Sequence, residues 1–144
     1  MHLVRWQDDY LVGDETIDND HKTLFRMINE FYDAFAHSRK RSDLNRILIR
    51  LVKYSEEHFQ REEKIMADHG FPATADHHKV HEELYETIFA LNKRLENDPS
   101  PLDRDAVSFL KHWLVDHILK HDMALGEFIR ATKKAEPKAE QPAA

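Results

Sequence analysis

Four stretches of the chain line up apolar residues at helical spacing, and only short connectors separate them. The first, about residues 18–37, carries His21, Phe25, Ile28, Tyr32 and Phe35 on one face, with Leu24 and Phe31 beside them and Asp18 as the expected N-cap. The second opens at an expected Ser42 cap and stops at Gly70, with Pro72 close behind; its stripe is Leu44, Ile47, Leu48, Leu51, Ser55, His58, Glu62, Ile65, Met66 and His69. The third, about 73–96, aligns His77, His81, Leu84, Ile88, Leu91 and Leu95. The fourth, about 102–132, aligns Val107, Leu110, Trp113, Leu114, His117, Leu125, Phe128 and Ile129. Helices this long joined by "SRKR", "GFP" and "NDPSPLD" must run antiparallel to their neighbours. The chain is therefore predicted to be all-α, an up-down-up-down antiparallel four-helix bundle. Three glycines in 144 residues leave little room for the turns of a hairpin fold. Residues 1–17, with Trp6 and Tyr10, are expected to form an N-terminal arm across the bundle. One domain is expected over 1–132, and a disordered tail, "KKAEPKAEQPAA", over 133–144.

Composition narrows the chemistry. With no cysteine, disulfides, thiolate zinc sites, Cys-ligated iron–sulfur clusters and thiol nucleophiles are excluded. A net charge of −6 argues against nucleic acid as a partner. No apolar run approaches the roughly 18 residues of a membrane span, and the N-terminus lacks the pattern of a signal peptide. A cytoplasmic protein is the expectation.

Histidine is over-represented, at 11 residues. His21, His58, His77, His81 and His117 each continue the apolar stripe of their own helix, and so does Glu62. In an antiparallel bundle their levels coincide at one end, because His21 and His77 lie early in their helices and His58 and His117 lie late. Burying a carboxylate costs on the order of several kcal/mol unless it is neutralised or paired, so such a cluster calls for a common partner. His58 and Glu62, and His77 and His81, stand four apart and can each aim two ligands at one centre. Five imidazoles and at least one carboxylate are too many for a single ion, and imidazole with carboxylate suits iron among other metals. Two octahedral ions sharing two carboxylates and one bridging oxygen, with five imidazoles, leave one position open for a small ligand such as O2. On spacing alone His117 pairs with His121.

The stretches "IDNDHKTLF", "HFQREEKIM", "HHKVH" and "WLVDHILKHD", together with Trp6, Tyr10 and Gly13 of the arm, resemble the hemerythrin family, in particular its bacterial members, over roughly residues 3–130. The resemblance implies that His77, His81 and His117 bind one iron, His21 and His58 the other, and that Glu62 and Asp122 bridge them. It replaces His121 by Asp122. Five residues past His117, Asp122 lies about 140° away on a regular helix, so the fourth helix is predicted to bulge there, as by one i→i+5 turn. His2, His37, His78, His112 and His121 are expected to be solvated, and His69 to cap its helix. Glu56, Glu57 and Glu63 are assigned to solvated flanks. Three positions depart from the family pattern: Asn19-Asp20 where an acid then glutamine is common, Asp14 where an apolar residue is frequent, and Leu125 where an aromatic is usual.

The function implied is reversible O2 binding at a non-heme di-iron centre, for storage, transport or delivery. Phe59, Trp113, Leu114 and Ile118 are expected to line the O2 pocket. Such an apolar lining without a neighbouring general acid favours reversible binding over O–O cleavage. The alternatives are a di-iron enzyme, such as a peroxidase or a nitric-oxide or O2-scavenging reductase, and an oxygen or iron sensor with a separate oxidase or signalling partner. No histidine follows a glutamate by three residues, which disfavours the ferritin-like oxidases, and the H-E-x-x-H of zinc proteases is absent. A monomer that is not an enzyme is expected.

Overall fold

A computed structural model describes residues 3–98, 102 and 104–135, apart from the side chains of 119 and 133–135. Helix α1 spans Glu15–Ala36, α2 Arg41–His69, α3 Thr74–Asn97 and α4 Arg104–His117. A π-helical turn over Ile118–Asp122 then leads into α5, Met123–Ala135, so that α4, the turn and α5 form the fourth rod of the bundle. No strand occurs among the described residues. Contacts across each seam run in opposite numerical order, as antiparallel neighbours require. Between α1 and α2, Glu30 meets Arg50 and Asp20 meets Arg61. Between α2 and α3, Asn45 meets Asn92 and Glu62 meets His77. Between α3 and the fourth rod, Leu84 receives the Trp113 indole N–H at 2.9 Å and the ring of His77 meets that of His117.

The helix ends correct four expectations. Asp14, not Asp18, caps α1: its carboxylate accepts from the Ile17 N–H at 3.0 Å. Gly13, at φ +95°, turns the chain just ahead of it, which is where a cap must sit. Asp18 lies one turn inside and reaches back, accepting the N–H groups of Val12 at 2.8 Å and Gly13 at 3.2 Å. The last residues of the expected arm are thus already helical. Ser42 likewise lies inside α2, whose N-cap is Lys40 with no side-chain cap bond. At the other end of α2, Gly70 takes the left-handed conformation as expected, and the Phe71 N–H donates to Met66 O at 3.0 Å. The expected disordered tail is helical through Ala135; residues 136–144, and His2, lie outside the described residues.

The arm packs as the aromatic residues imply. Trp6, Tyr10 and Phe25 form a ring cluster with centroids 5.3–5.7 Å apart. Asn29 exchanges two hydrogen bonds with the backbone of Val4, at 3.0 and 2.8 Å. Further on, the arm presses against α5, where the Val12 carbonyl accepts from Arg130 at 2.8 Å and lies so close to Gly126 that any side chain there would collide with it.

Two apolar clusters fill the bundle. The larger includes Leu24, Ile28, Phe31, Leu48, Leu51, Ile88, Leu95, Leu110 and Leu114. Each such side chain contributes about 1.5–3 kcal/mol by its burial. The smaller comprises Val12, Ile17, Met66, Leu125 and Ile129. On α1, on α2 and on the fourth rod, His21, then His58 and Glu62, then His117 and Asp122 lie where the larger cluster gives way to the smaller. The bundle therefore holds a buried polar layer between two apolar ones.

Candidate metal centre

All seven residues expected as ligands are buried and converge in that layer. Glu62, on α2, divides its two oxygens. Oε1 faces His77 Nε2 at 2.7 Å, His81 Nε2 at 3.1 Å and His117 Nε2 at 4.0 Å; Oε2 faces His58 Nε2 at 3.2 Å and His21 Nε2 at 3.7 Å. Asp122 divides its oxygens in the same sense. Its Oδ1 lies 3.0 Å from both His77 Nε2 and His117 Nε2, and its Oδ2 lies 2.8 Å from His21 Nε2. Two groups that could hold a metal ion result, one of His77, His81 and His117, the other of His21 and His58, with Glu62 and Asp122 belonging to both.

These close approaches are mostly not hydrogen bonds. The Nε2 atoms of His21, His58, His77 and His117, Oε2 of Glu62 and both oxygens of Asp122 are sealed from solvent with no hydrogen-bond partner. Buried polar atoms are rarely left so. In each of the two groups the possible ligand atoms all lie within 4.8 Å of one another, and imidazole nitrogen with carboxylate oxygen is a donor set suited to iron. The residues present therefore fit a pair of metal ions. Electrostatics agrees. Burial alone would push the His21 imidazole down, but the carboxylates of Asp122 and Glu62 outweigh it and hold its pKa up at about 10. His77, opposed by burial and raised by the same two carboxylates, stands at about 9. Burial acts to raise Glu62 and Asp122 as well, yet the surrounding histidines hold both below the usual carboxylate range. His81 goes the other way, lowered by burial. The raised His21 and His77 mark a layer whose carboxylates draw positive charge toward them.

The position of Asp122 depends on the π turn. His117 ends α4, and the wider winding of Ile118–Asp122 fits more residues into each turn, so the five steps from His117 to Asp122 come closer to one full turn and Asp122 faces inward. His121, favoured by spacing alone, is not in either group; its half-buried ring stands beside His77 and His117, with centroids 5.9 and 5.6 Å away.

Phe59, Trp113, Leu114 and Ile118 are all buried. Phe59 stacks on His81 at 4.2 Å and touches the rings of His58 and His117. The four do not share one surface cleft: Trp113 and His117 line an opening of about 400 Å³ against α3, Phe59 lines another of about 260 Å³ between α2 and α3, and Leu114 and Ile118 line neither.

Two residues that support the centre escaped the sequence reading. Asp20 accepts from His58 Nδ1 at 3.0 Å, and Glu63, placed on a solvated flank, instead lies part-buried with Oε2 3.3 Å from His81 Nδ1 and Oε1 on His78. His78 is exposed as expected but pairs with Glu63 and, at 2.7 Å, Glu82. The only signal for Asp20 was its departure from the family's glutamine. His37 and His112 are exposed as expected, and His69 Nδ1 donates to Ile65 O at 2.9 Å in the last turn of α2, as a capping histidine would.

Comparison with known proteins agrees with this geometry. The family described as hemerythrin HHE cation binding domain matches residues 12–129. A bacteriohemerythrin of Stenotrophomonas maltophilia is 30% identical over 131 residues, 91% of this chain and 84% of that protein. A myohemerythrin of Riftia pachyptila is 33% identical over 113 residues, 78% of this chain and 82% of that protein. Among solved structures, wild-type hemerythrin superposes with a TM-score of 0.80 at 30% identity, covering 88% of this chain and 98% of that one. The chain belongs to the hemerythrin family, a class of four-helix bundles with a cation-binding site.

Proposed function

We propose that the chain binds O2 reversibly at a non-heme di-iron centre and serves oxygen storage, transport or delivery. The observation that carries this reading is the division of labour within Glu62 and Asp122, each of which turns one oxygen to the His77 group and the other to His21. In this reading His77, His81 and His117 hold one iron, His21 and His58 the other, and the two carboxylates bridge them. Bound iron supplies a redox-active pair able to exchange electrons with O2. The residues do the rest. Glu62 and Asp122 fix the spacing of the ions and offset their charge. Phe59, Trp113, Leu114 and Ile118 exclude water from the layer. No helix is long and apolar enough to cross a membrane among the described residues. We take the molecule as a cytoplasmic monomer of one domain, with O2 and not nucleic acid as its partner, and as a carrier, not an enzyme.

The test is metal analysis followed by visible spectra. Reduced protein carrying two irons per chain is exposed to air and then swept with argon. A charge-transfer band that appears in air and disappears under argon is expected. Rapid autoxidation with turnover of peroxide or nitric oxide would overturn the carrier reading in favour of a di-iron enzyme.

A further inference from the structure

Behind His58, on the side away from Glu62, the structure holds a second set of polar contacts. Asp20, on α1 and only 6% exposed, receives four donors. Its Oδ1 accepts from the Tyr54 hydroxyl at 2.7 Å and from Arg61 Nη2 at 2.9 Å; its Oδ2 accepts from Arg61 Nε at 2.8 Å and from His58 Nδ1 at 3.0 Å. The bidentate Arg61 guanidinium, which also lies 5.4 Å over the Tyr54 ring, keeps a buried carboxylate charged and immobile. An ionised carboxylate can only accept, so Nδ1 of His58 must carry the proton. Its Nε2 is then left with a free lone pair, the atom that faces Glu62 Oε2 at 3.2 Å. The other histidine of that group has no such support: His21 Nδ1 is buried without a partner.

We infer that Asp20, clamped by Arg61 and Tyr54, is a positioning residue that selects the metal-binding tautomer of His58, locks its ring, and makes it the stronger donor of the two histidines in its group. The inference rests on the di-iron reading above. It predicts asymmetry between the two histidines of that group, so that the ion held by His21 and His58 depends on a carboxylate that touches no metal.

Anaerobic Fe(II) titration of metal-free protein against a chelator, with the midpoint potential of the loaded protein, tests this on the unaltered chain, Asp20→Ala and Asp20→Asn, each checked for helical content. Asp20→Ala is expected to weaken one of the two iron sites about 10–100-fold and spare the other. Asp20→Asn, whose amide oxygen still accepts from His58, is expected to restore most of the affinity but to raise the potential, because the negative charge behind the ring is gone. An unchanged potential in Asp20→Asn overturns the inference whether or not Asp20→Ala folds. Equal loss of both irons in a folded Asp20→Ala, or no loss, also overturns it. An unaltered chain that binds no iron pair overturns the di-iron reading and the inference with it.

Discussion

Phe31 in the large apolar cluster and Glu62 in the polar layer are each 0% exposed, yet they are held inside for opposite reasons. Around Phe31, burial is itself the stabilising term, and any side chain of similar volume would serve. Around Glu62, burial is a cost that the neighbouring imidazoles, their protons or a bound cation must offset. A residue in the first region is there for the fold. A residue in the second is tolerated by the fold only because its neighbours offset the cost of its burial. Four experiments press on that difference, beginning with the largest expected effect.

Replacing Asp122 by Ala removes one oxygen from each histidine group while leaving the helices intact, so the iron pair should be lost with helical content retained, as read by metal analysis and circular dichroism. Two tightly bound irons in Asp122→Ala would refute its assignment as a bridge. The metal-free protein should next show a steep pH dependence. His21 and His77 are raised from 6.5 to about 10 and about 9 in the folded chain. A raised folded-state pKa stabilises fully below the unfolded value and is lost as pH climbs through the folded one. Thermal stability of the metal-free form should therefore fall between pH 6.5 and about 10, while the iron-loaded form, whose ligands are already deprotonated, should stay level across that window. Parallel profiles for the two forms would break the comparison. Phe31→Ala should cost about 3–5 kcal/mol in urea unfolding and leave iron per chain unchanged, the mirror image of Asp122→Ala. Gly126→Ala, which drives a methyl group into the Val12 carbonyl, should cost about 1–3 kcal/mol, and faster proteolysis within the arm would show where the strain is relieved.

Most of the architecture could be read before the structure, because periodicity and loop length determine an antiparallel bundle almost alone. The five histidines and Glu62 were legible for the same reason, since each falls on the stripe of its helix. Asp122 was not. Counting at 3.6 residues per turn passes straight over a π turn and selects His121, and only the likeness to a family restored the aspartate. Asp20 and Glu63 were hidden differently. Both flank a stripe, and what they touch depends on how a side chain leans across a seam to the next helix, which the pattern of one helix does not carry. The caps failed for a third reason. Asp14 and Asp18 are equally good capping residues, and the choice was made by the left-handed turn at Gly13 and the path of the arm behind it.

The two apolar clusters that enclose the polar layer are unequal, and that inequality bears on how long an ion stays. Val12, Ile17, Met66, Leu125 and Ile129 come from the arm, α1, α2 and α5, and they form the thinner of the two seals. Parting of Val12 from α5 would loosen this seal locally, where fewer buried side chains hold the elements together than in the larger cluster. Under the di-iron reading, the residence time of iron is then expected to follow this one end of the molecule more closely than overall stability. Release to a strong chelator should quicken in Gly126→Ala and barely change in Phe31→Ala, although the second substitution costs the fold more.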